Sequence, residues 1–346
     1  MVIYRHQLDK RGREILRIII RNFIDKGEPV GSRTVSKLIS KTASPATVRN
    51  VMADLEEMGF LYQPHTSAGR IPTDLAYRFY VDTFEGMPSL PSSEKKFINR
   101  ILEKFSGEID QLLPMTSRYL SVYSGNIGIV MSPRASSIVL RRIHLIRIGE
   151  NKILTLIVSM SGTVYEKIIN VEESFTQDEL DRISKYLVSK FRGYRLTEIR
   201  NKVKKMMGEE RSLYDKLMKN AIYFSRKTFA GEYQKGDLYL YGTLNIVDYP
   251  EFSDIRKIKR LMETLEEKNK LLKILNQCVE GGDINILIGA ETQFEDFEEC
   301  SFVTGTYSYR DTALGTLAVL GPRRMKYPRA IALVDYISKR LSQMIS

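Results

Sequence analysis

The chain contains no tryptophan, two cysteines and three histidines in 346 residues. Cys278 and Cys300 supply neither a disulfide framework nor a ligand cluster, so a reducing, cytoplasmic setting without bound metal is expected. His6, His65 and His144 are far apart, and no H-E-x-x-H, C-x-x-C, G-x-S-x-G or P-loop pattern occurs. His144, within IHLIRI, reads as a satisfied sheet residue rather than a ligand. The adjacent carboxylates Glu56-Glu57, Glu209-Glu210 and Glu298-Glu299 would diverge by about one hundred degrees on a helix. They suit a solvated surface better than acid-base work. Long hydrophobic runs are missing too: Ile18 to Ile20 and Ile153 to Val158 are too short for a bilayer, and no signal-peptide pattern precedes them. Catalysis, cofactors, export and membrane insertion are therefore not expected.

What the chain does have is positive charge. The formal net charge is +11, and residues 1–50 hold eleven Lys or Arg against four Asp or Glu. That balance favours a polyanionic partner. A second excess, thirteen against five, lies between Lys190 and Lys235. It reads as a solvated helical face before a second nucleic-acid site.

The first basic region carries a pattern. An opening helix presents Ile15, Leu16, Ile18, Ile19, Phe23 and Ile24 to a core and Arg13, Arg17 and Arg21 away from it, where they could cross a nucleic-acid backbone. Ser32 is placed to cap a second helix running to about Ser40, with Arg33 in its first turn. Ser44 and Pro45 then supply a capping hydroxyl and a fixed φ at the start of a third. In that third helix Val48, Val51, Met52, Leu55 and Met58 form one stripe, while Ala46, Thr47, Arg49, Asn50 and Ala53 point away. Arg can bond guanine acceptors, Asn an adenine edge, and small residues can lie against thymine methyls. Gly59 stops the helix, Phe60 to Tyr62 reads as a strand, and the turn from Pro64 to Gly69 leads to Arg70, Ile71 and Pro72. The outline is a winged helix-turn-helix. His65, Thr66, Ser67, Gly69 and Arg70 form a wing tip suited to phosphate, adding affinity more than specificity. Helix-turn-helix modules that only contact protein share this spacing; the groove-facing chemistry favours DNA.

After the helix Leu75 to Phe84, the residues Gly86, Pro88, Pro91 and Ser92-Ser93 mark a linker. Short β-rich runs occupy Ile127 to Asn170 and return after Gly281, before a closing helix near Pro328. One sheet split by a mainly helical insertion is expected. Within the insertion Asp254 to Val279 reads as one long amphipathic helix capped by Ser253 or Asp254. Its Ile258, Met262, Leu265 and Leu272 approximate a heptad seam, either a dimer interface or intramolecular core.

The run SPATVRNVMADLEEMGFLYQPHTSAGRIPTDLAYRFYVD at residues 44–82 resembles the HrcA-type heat-inducible transcription repressors. CSFVTGTY at 300–307 and ALGTLAVLGPRRMKYPRAIALVDYISKRL at 313–341 resemble the same family. The resemblance implies an α+β chain: a winged helix-turn-helix over 1–86, a GAF-like α/β domain over 87–190 and 282–346, and a helical dimerisation domain inserted at 191–281. It implies a homodimer on an inverted-repeat DNA operator, repressing chaperone operons and kept active by the GroEL chaperonin. A small-molecule-sensing regulator, with the GAF-like domain as ligand pocket, is the alternative.

Overall fold

The computed structural model describes residues 8–39, 43–65, 68–84, 86–105, 109–133, 138–208, 216–229, 238–279, 284–309 and 312–345. The first module contains α1 (Lys10–Lys26), α2 (Ser32–Leu38), α3 (Pro45–Glu57), β1 (Leu61–Tyr62), β2 (Ile71–Pro72) and α4 (Asp74–Asp82). Its boundaries follow local chemistry. The Asp9 carboxylate accepts from the Gly12 amide at 2.6 Å, and Gly27, at φ 72, ends α1 in the left-handed conformation. The apolar stripe of α1, with Ile15, Leu16, Ile19 and Ile20 fully buried, meets Val35, Val48, Met52 and Leu55 from the next two helices. Ser32 does not cap α2: that place belongs to Gly31, with no side-chain cap, and the helix stops at Leu38.

The rest of the chain adds α5 (Ser92–Glu103), α6 (Ile109–Ser124), β3 (Ile127–Met131), β4 (Leu140–Arg147), β5 (Lys152–Ser159), β6 (Val164–Asn170), α7 (Gln177–Phe191), α8 (Leu196–Gly208) and α9 (Lys216–Phe229). There follow β7 (Leu238–Tyr241), α10 (Ile255–Glu266), α11 (Lys268–Val279), β8 (Ile284–Ile288), β9 (Cys300–Tyr309), β10 (Thr312–Pro322) and α12 (Tyr327–Ile345). Among the described residues no helix is long and apolar enough to cross a membrane.

Two sheets divide these strands. A five-stranded antiparallel sheet runs β7-β3-β10-β9-β8, and a separate three-stranded meander runs β4-β5-β6. The expected grouping of the β-rich runs into one sheet is therefore corrected. Strands β4, β5 and β6 join no sheet but their own and build a closed core with α7, α8 and α9, including Ile143, Ile157, Leu180, Leu187 and Phe224. Within the large sheet the chain passes from β3 to β7 by way of this module, and from β7 to β8 by way of α10 and α11. Short antiparallel runs look alike in sequence whichever sheet accepts them, because pairing is a non-local choice.

The long helix from Asp254 is also corrected. Asp254 caps it, but Glu267, at ψ 71, breaks it into α10 and α11. Both pieces cover one face of the five-stranded sheet. Leu265 is buried with Leu261, Leu271 and Leu275 against Ile127, Ile129 and Met131, and Ile258, Met262 and Leu272 pack on that cluster. The proposed dimerisation stripe is core, because the sheet face beneath it would otherwise stand in water. The opposite sheet face carries α6 and α12, with Val303, Tyr307 and Leu317 meeting Leu333, Val334 and Ile337.

That same core continues into the first module. Tyr77 of α4 and Tyr327 of α12 lie with ring centroids 6.1 Å apart. Around them Arg323 bonds Asp74 at 3.0 Å and Glu299 at 2.5 Å, Asp74 accepts from the Ala290 amide at 3.2 Å, and Arg78 pairs with Glu291 while donating to the Ile286 carbonyl at 2.7 Å. Arg324 adds a bond to the Ile24 carbonyl at 3.3 Å and an ion pair with Glu251. Burial works against Arg323's charge, but Glu299 and Asp74 outweigh it and hold the guanidinium above its ordinary pKa.

Candidate nucleic-acid interface

The recognition surface is built from α3 outward. Ser44 Oγ accepts from the Thr47 amide at 3.0 Å and lies 2.9 Å from the Thr47 hydroxyl, so the cap is made by the residue before Pro45. Val48, Met52 and Leu55 are buried, which turns Ala46, Arg49, Asn50 and Ala53 to solvent as one exposed surface. Thr47 is half-buried, and its hydroxyl is engaged by Ser44 rather than free. Arg33 and Lys37 on α2 are exposed as well. Arg49 on α3 and Arg33 and Lys37 on α2, with amide and small side chains beside Arg49, match the demands of a major groove and its phosphates.

The wing is a two-stranded ribbon with Leu61 opposite Pro72 and Tyr62 opposite Ile71. Gln63 Nε2 donates to the Ala68 carbonyl at 2.9 Å, and the Ala68 amide to the His65 carbonyl at 2.8 Å, closing its turn. His65 is exposed at the tip; Thr66 and Ser67 lie outside the described residues.

Gly69 and Arg70 both have partners inside the module. The Arg70 amide and carbonyl exchange hydrogen bonds with Val30 at 2.9 and 3.0 Å, and a Cβ at position 69 would overlap the Val30 backbone. Glycine is required there by this internal approach. The Arg70 side chain is 17% exposed, with Nε 2.8 Å from Glu56 Oε2 of α3. Its charge therefore fastens the wing to the recognition helix instead of standing free for phosphate. Glu56, grouped by sequence with solvated carboxylates, is the missed residue. Nothing local identifies it, since its partner lies beyond the helix and across the wing turn.

The outward arginines of α1 are partly engaged as well. Arg13 Nε donates to the Leu8 carbonyl at 2.8 Å, and Arg17 Nη2 to the Thr83 carbonyl at 3.1 Å, tying α1 to its own start and to the end of α4. Arg21 remains exposed. The wing's exit is held by Thr73, which caps α4 through the Ala76 amide while its hydroxyl lies 2.7 Å from the Gly59 carbonyl.

Comparisons with known proteins agree with this architecture. Residues 7–83 match the family model described as winged helix-turn-helix transcription repressor, HrcA DNA-binding, and residues 110–331 match the HrcA protein C-terminal domain. A heat-inducible transcription repressor HrcA of Geobacter sulfurreducens is 40% identical, over 98% of each chain. One of Syntrophobacter fumaroxidans is 36% identical, over 98% of this chain and 97% of its own. Among solved structures, a crystal structure described only as a hypothetical protein shares the fold, with a TM-score of 0.60 at 23% identity, covering 98% of this chain and 99% of its own.

Proposed function

The chain belongs to the HrcA family of heat-inducible transcription repressors, and from that premise we propose that it acts as a homodimer on an inverted-repeat operator of chaperone genes. Its relatives carry the name of a repressor, a non-enzymatic role. The observation that carries the operator reading is the exposed set Ala46, Arg49 and Asn50 on a helix capped at Ser44, beside a wing tied back through Arg70 and Glu56. Arg49 is the residue for guanine and Asn50 for adenine. One helix of this length reads one half-site, so a two-fold operator calls for two copies.

The surface that fits a second copy is not α10. On the three-stranded meander, one face packs on α7 and α9, while the other leaves Val164 58% and Ile168 60% exposed, beside Ile146 at 37%. An apolar β face of that kind is suited to an isologous contact. The five-stranded sheet covered by helices on both faces supports reading the body as GAF-like. Control by GroEL is the family's expectation. It is supported by the sheet topology: β3 pairs with β7, and the meander and three helices lie between them in the chain. Such non-local pairing leaves edges exposed during folding, the condition a chaperonin relieves.

The test is a gel-shift titration against an inverted-repeat chaperone promoter and against random DNA. Arg49→Ala should cost about 1 to 3 kcal/mol on the operator and relax base preference, while random-DNA affinity stays close to wild type. Equal affinity of the wild type for operator and random DNA would sink the operator reading. For the chaperonin, protein refolded from denaturant should gain operator-binding fraction when GroEL is added and lose it to competing unfolded substrate. Full recovery without GroEL would remove that part alone.

A further inference from the structure

The inserted module carries a half-open pocket that the repressor reading does not use. Helices α7, α8 and α9 surround a cavity of about 300 Å³ whose walls are Leu187, Phe191, Val203, Met218, Ala221 and Ile222. Two polar features share the lining of that pocket. Lys190, Lys202 and Lys205 line it, all three are exposed, and none is paired with a carboxylate among the described residues. Lys202 Nζ sits 3.6 Å from the centroid of the Tyr194 ring and Lys190 Nζ 5.9 Å from that of Tyr186, so aromatic faces hold these ammonium groups. Ser225 lines the same pocket at 1% exposure, and its hydroxyl has no hydrogen-bond partner among the described residues.

Each feature asks for something the protein itself does not provide. A buried hydroxyl without a partner is costly, and protein interiors seldom keep one. Unpaired cations beside an apolar chamber favour a ligand with an anionic end and an apolar body. The volume corresponds to about ten waters and lies at the small end of ligand pockets, enough for a medium-length acyl chain but not for a bulky polycyclic body. We propose that the chamber between α7, α8 and α9 binds a medium-chain fatty-acid carboxylate, with the lysines attracting the carboxylate and the Ser225 hydroxyl donating to one of its oxygens. The site lies in the inserted module, so it stands independently of the operator reading.

The experiment is calorimetric titration of the full chain with sodium decanoate, alongside decanol, decyltrimethylammonium and acetate, and thermal melts with and without each. Decanoate should saturate one site per chain and raise the melting temperature. Decanol should bind more weakly, and neither the cationic amphiphile nor acetate should bind. Lys202→Glu with Lys205→Glu, on the exposed side, should weaken decanoate about fivefold or more. Ser225→Ala gives the sharper readout, because a merely structural serine would lose stability on truncation. Here the ligand-free variant should melt about 2 °C or more higher, while the shift produced by decanoate shrinks. Ala221→Trp should fill the chamber and abolish binding; the surface double variant decides the matter if that protein fails to fold. Absence of saturable decanoate binding, equal binding of anionic and cationic amphiphiles, or affinity unchanged in both the lysine and serine variants would overturn the proposal.

Discussion

The winged-helix module and the inserted module are joined to the central sheet in opposite ways. The first shares its core with the body: Ile15, Val48 and Phe60 belong to one continuous buried cluster with Tyr327, Leu333 and Ile337 of α12. The second keeps a cluster of its own, running from Ile138 to Phe224 and drawn from its own strands and helices. Elements that share a buried core move and unfold together, whereas a module with a separate core can unfold as an independent unit. A change in the body is therefore felt by the recognition helix. The insert can serve as an attachment point with little effect on the rest.

The strongest way to break this comparison is Tyr327→Ala, which empties the fully buried position facing Tyr77. A cost of about 3 to 5 kcal/mol is expected, as for other large aromatic truncations. Calorimetry should show the winged-helix transition separating from that of the body while the insert's melting is unchanged. If the insert shifts equally, the two cores are not independent.

Next in size is Val164→Glu with Ile168→Glu on the free face of the meander. The double variant should be a folded monomer by sedimentation, with operator affinity reduced about 100-fold or more as the second half-site contact is lost. A folded dimer would move the interface elsewhere. Leu265→Glu, by contrast, should unfold the body, because that side chain is buried under the large sheet.

A smaller effect is expected at the ionic junction. Arg323→Ala should cost about 1 to 3 kcal/mol, since it removes charge-assisted bonds to Asp74 and Glu299. The wild-type junction should also weaken in acid. Burial opposes ionisation of Glu299, but Arg323 and Lys257 prevail and hold its carboxyl below the ordinary range. Folded Glu299 thus releases its proton at a lower pH than unfolded Glu299. Its contribution is complete above the usual carboxylate range and is lost as pH falls through the depressed value. Melts from pH 7 to pH 3 should show the winged-helix module losing stability relative to the insert; the opposite order would contradict the assignment.

The smallest change should come from Glu56→Gln, which releases Arg70. Operator affinity is expected to fall by about 0.5 to 1 kcal/mol without altering the salt dependence, because Arg70 holds the wing and does not neutralise a phosphate. A salt slope reduced by about one unit in Arg70→Ala would restore the phosphate role.

The elements themselves were largely legible. The Ser44-Pro45 start and the stripe of Val48, Met52 and Leu55 are encoded within one helix, as are the glycine turn at Gly59 and the closing helix with Ile331, Val334 and Ile337. Caps, φ preferences and periodicity act over a few residues, so they can be read without a partner. Partnership was not legible in the same way. Ile153 to Val158 is a short apolar run that would suit either sheet, and only the folded chain assigns it to the meander rather than the large sheet. The stripe of Ile258, Met262, Leu265 and Leu272 is equally good as a seam or as a sheet cover, and the apolar face of β3 that it covers decided between them.

By itself, then, the order of residues determined a capped recognition helix with an arginine and an asparagine facing outward, a wing after it, and a basic character suited to DNA. Tertiary structure alone decided that Arg70 would be held by Glu56, that Gly69 would lie against Val30, and that α4 would lock onto α12 through Tyr77 and Tyr327. The reason is one of range. A hydroxyl finds an amide three residues away in almost any surroundings, but a guanidinium, an aromatic ring or an apolar stripe takes the partner that long-range packing brings to it.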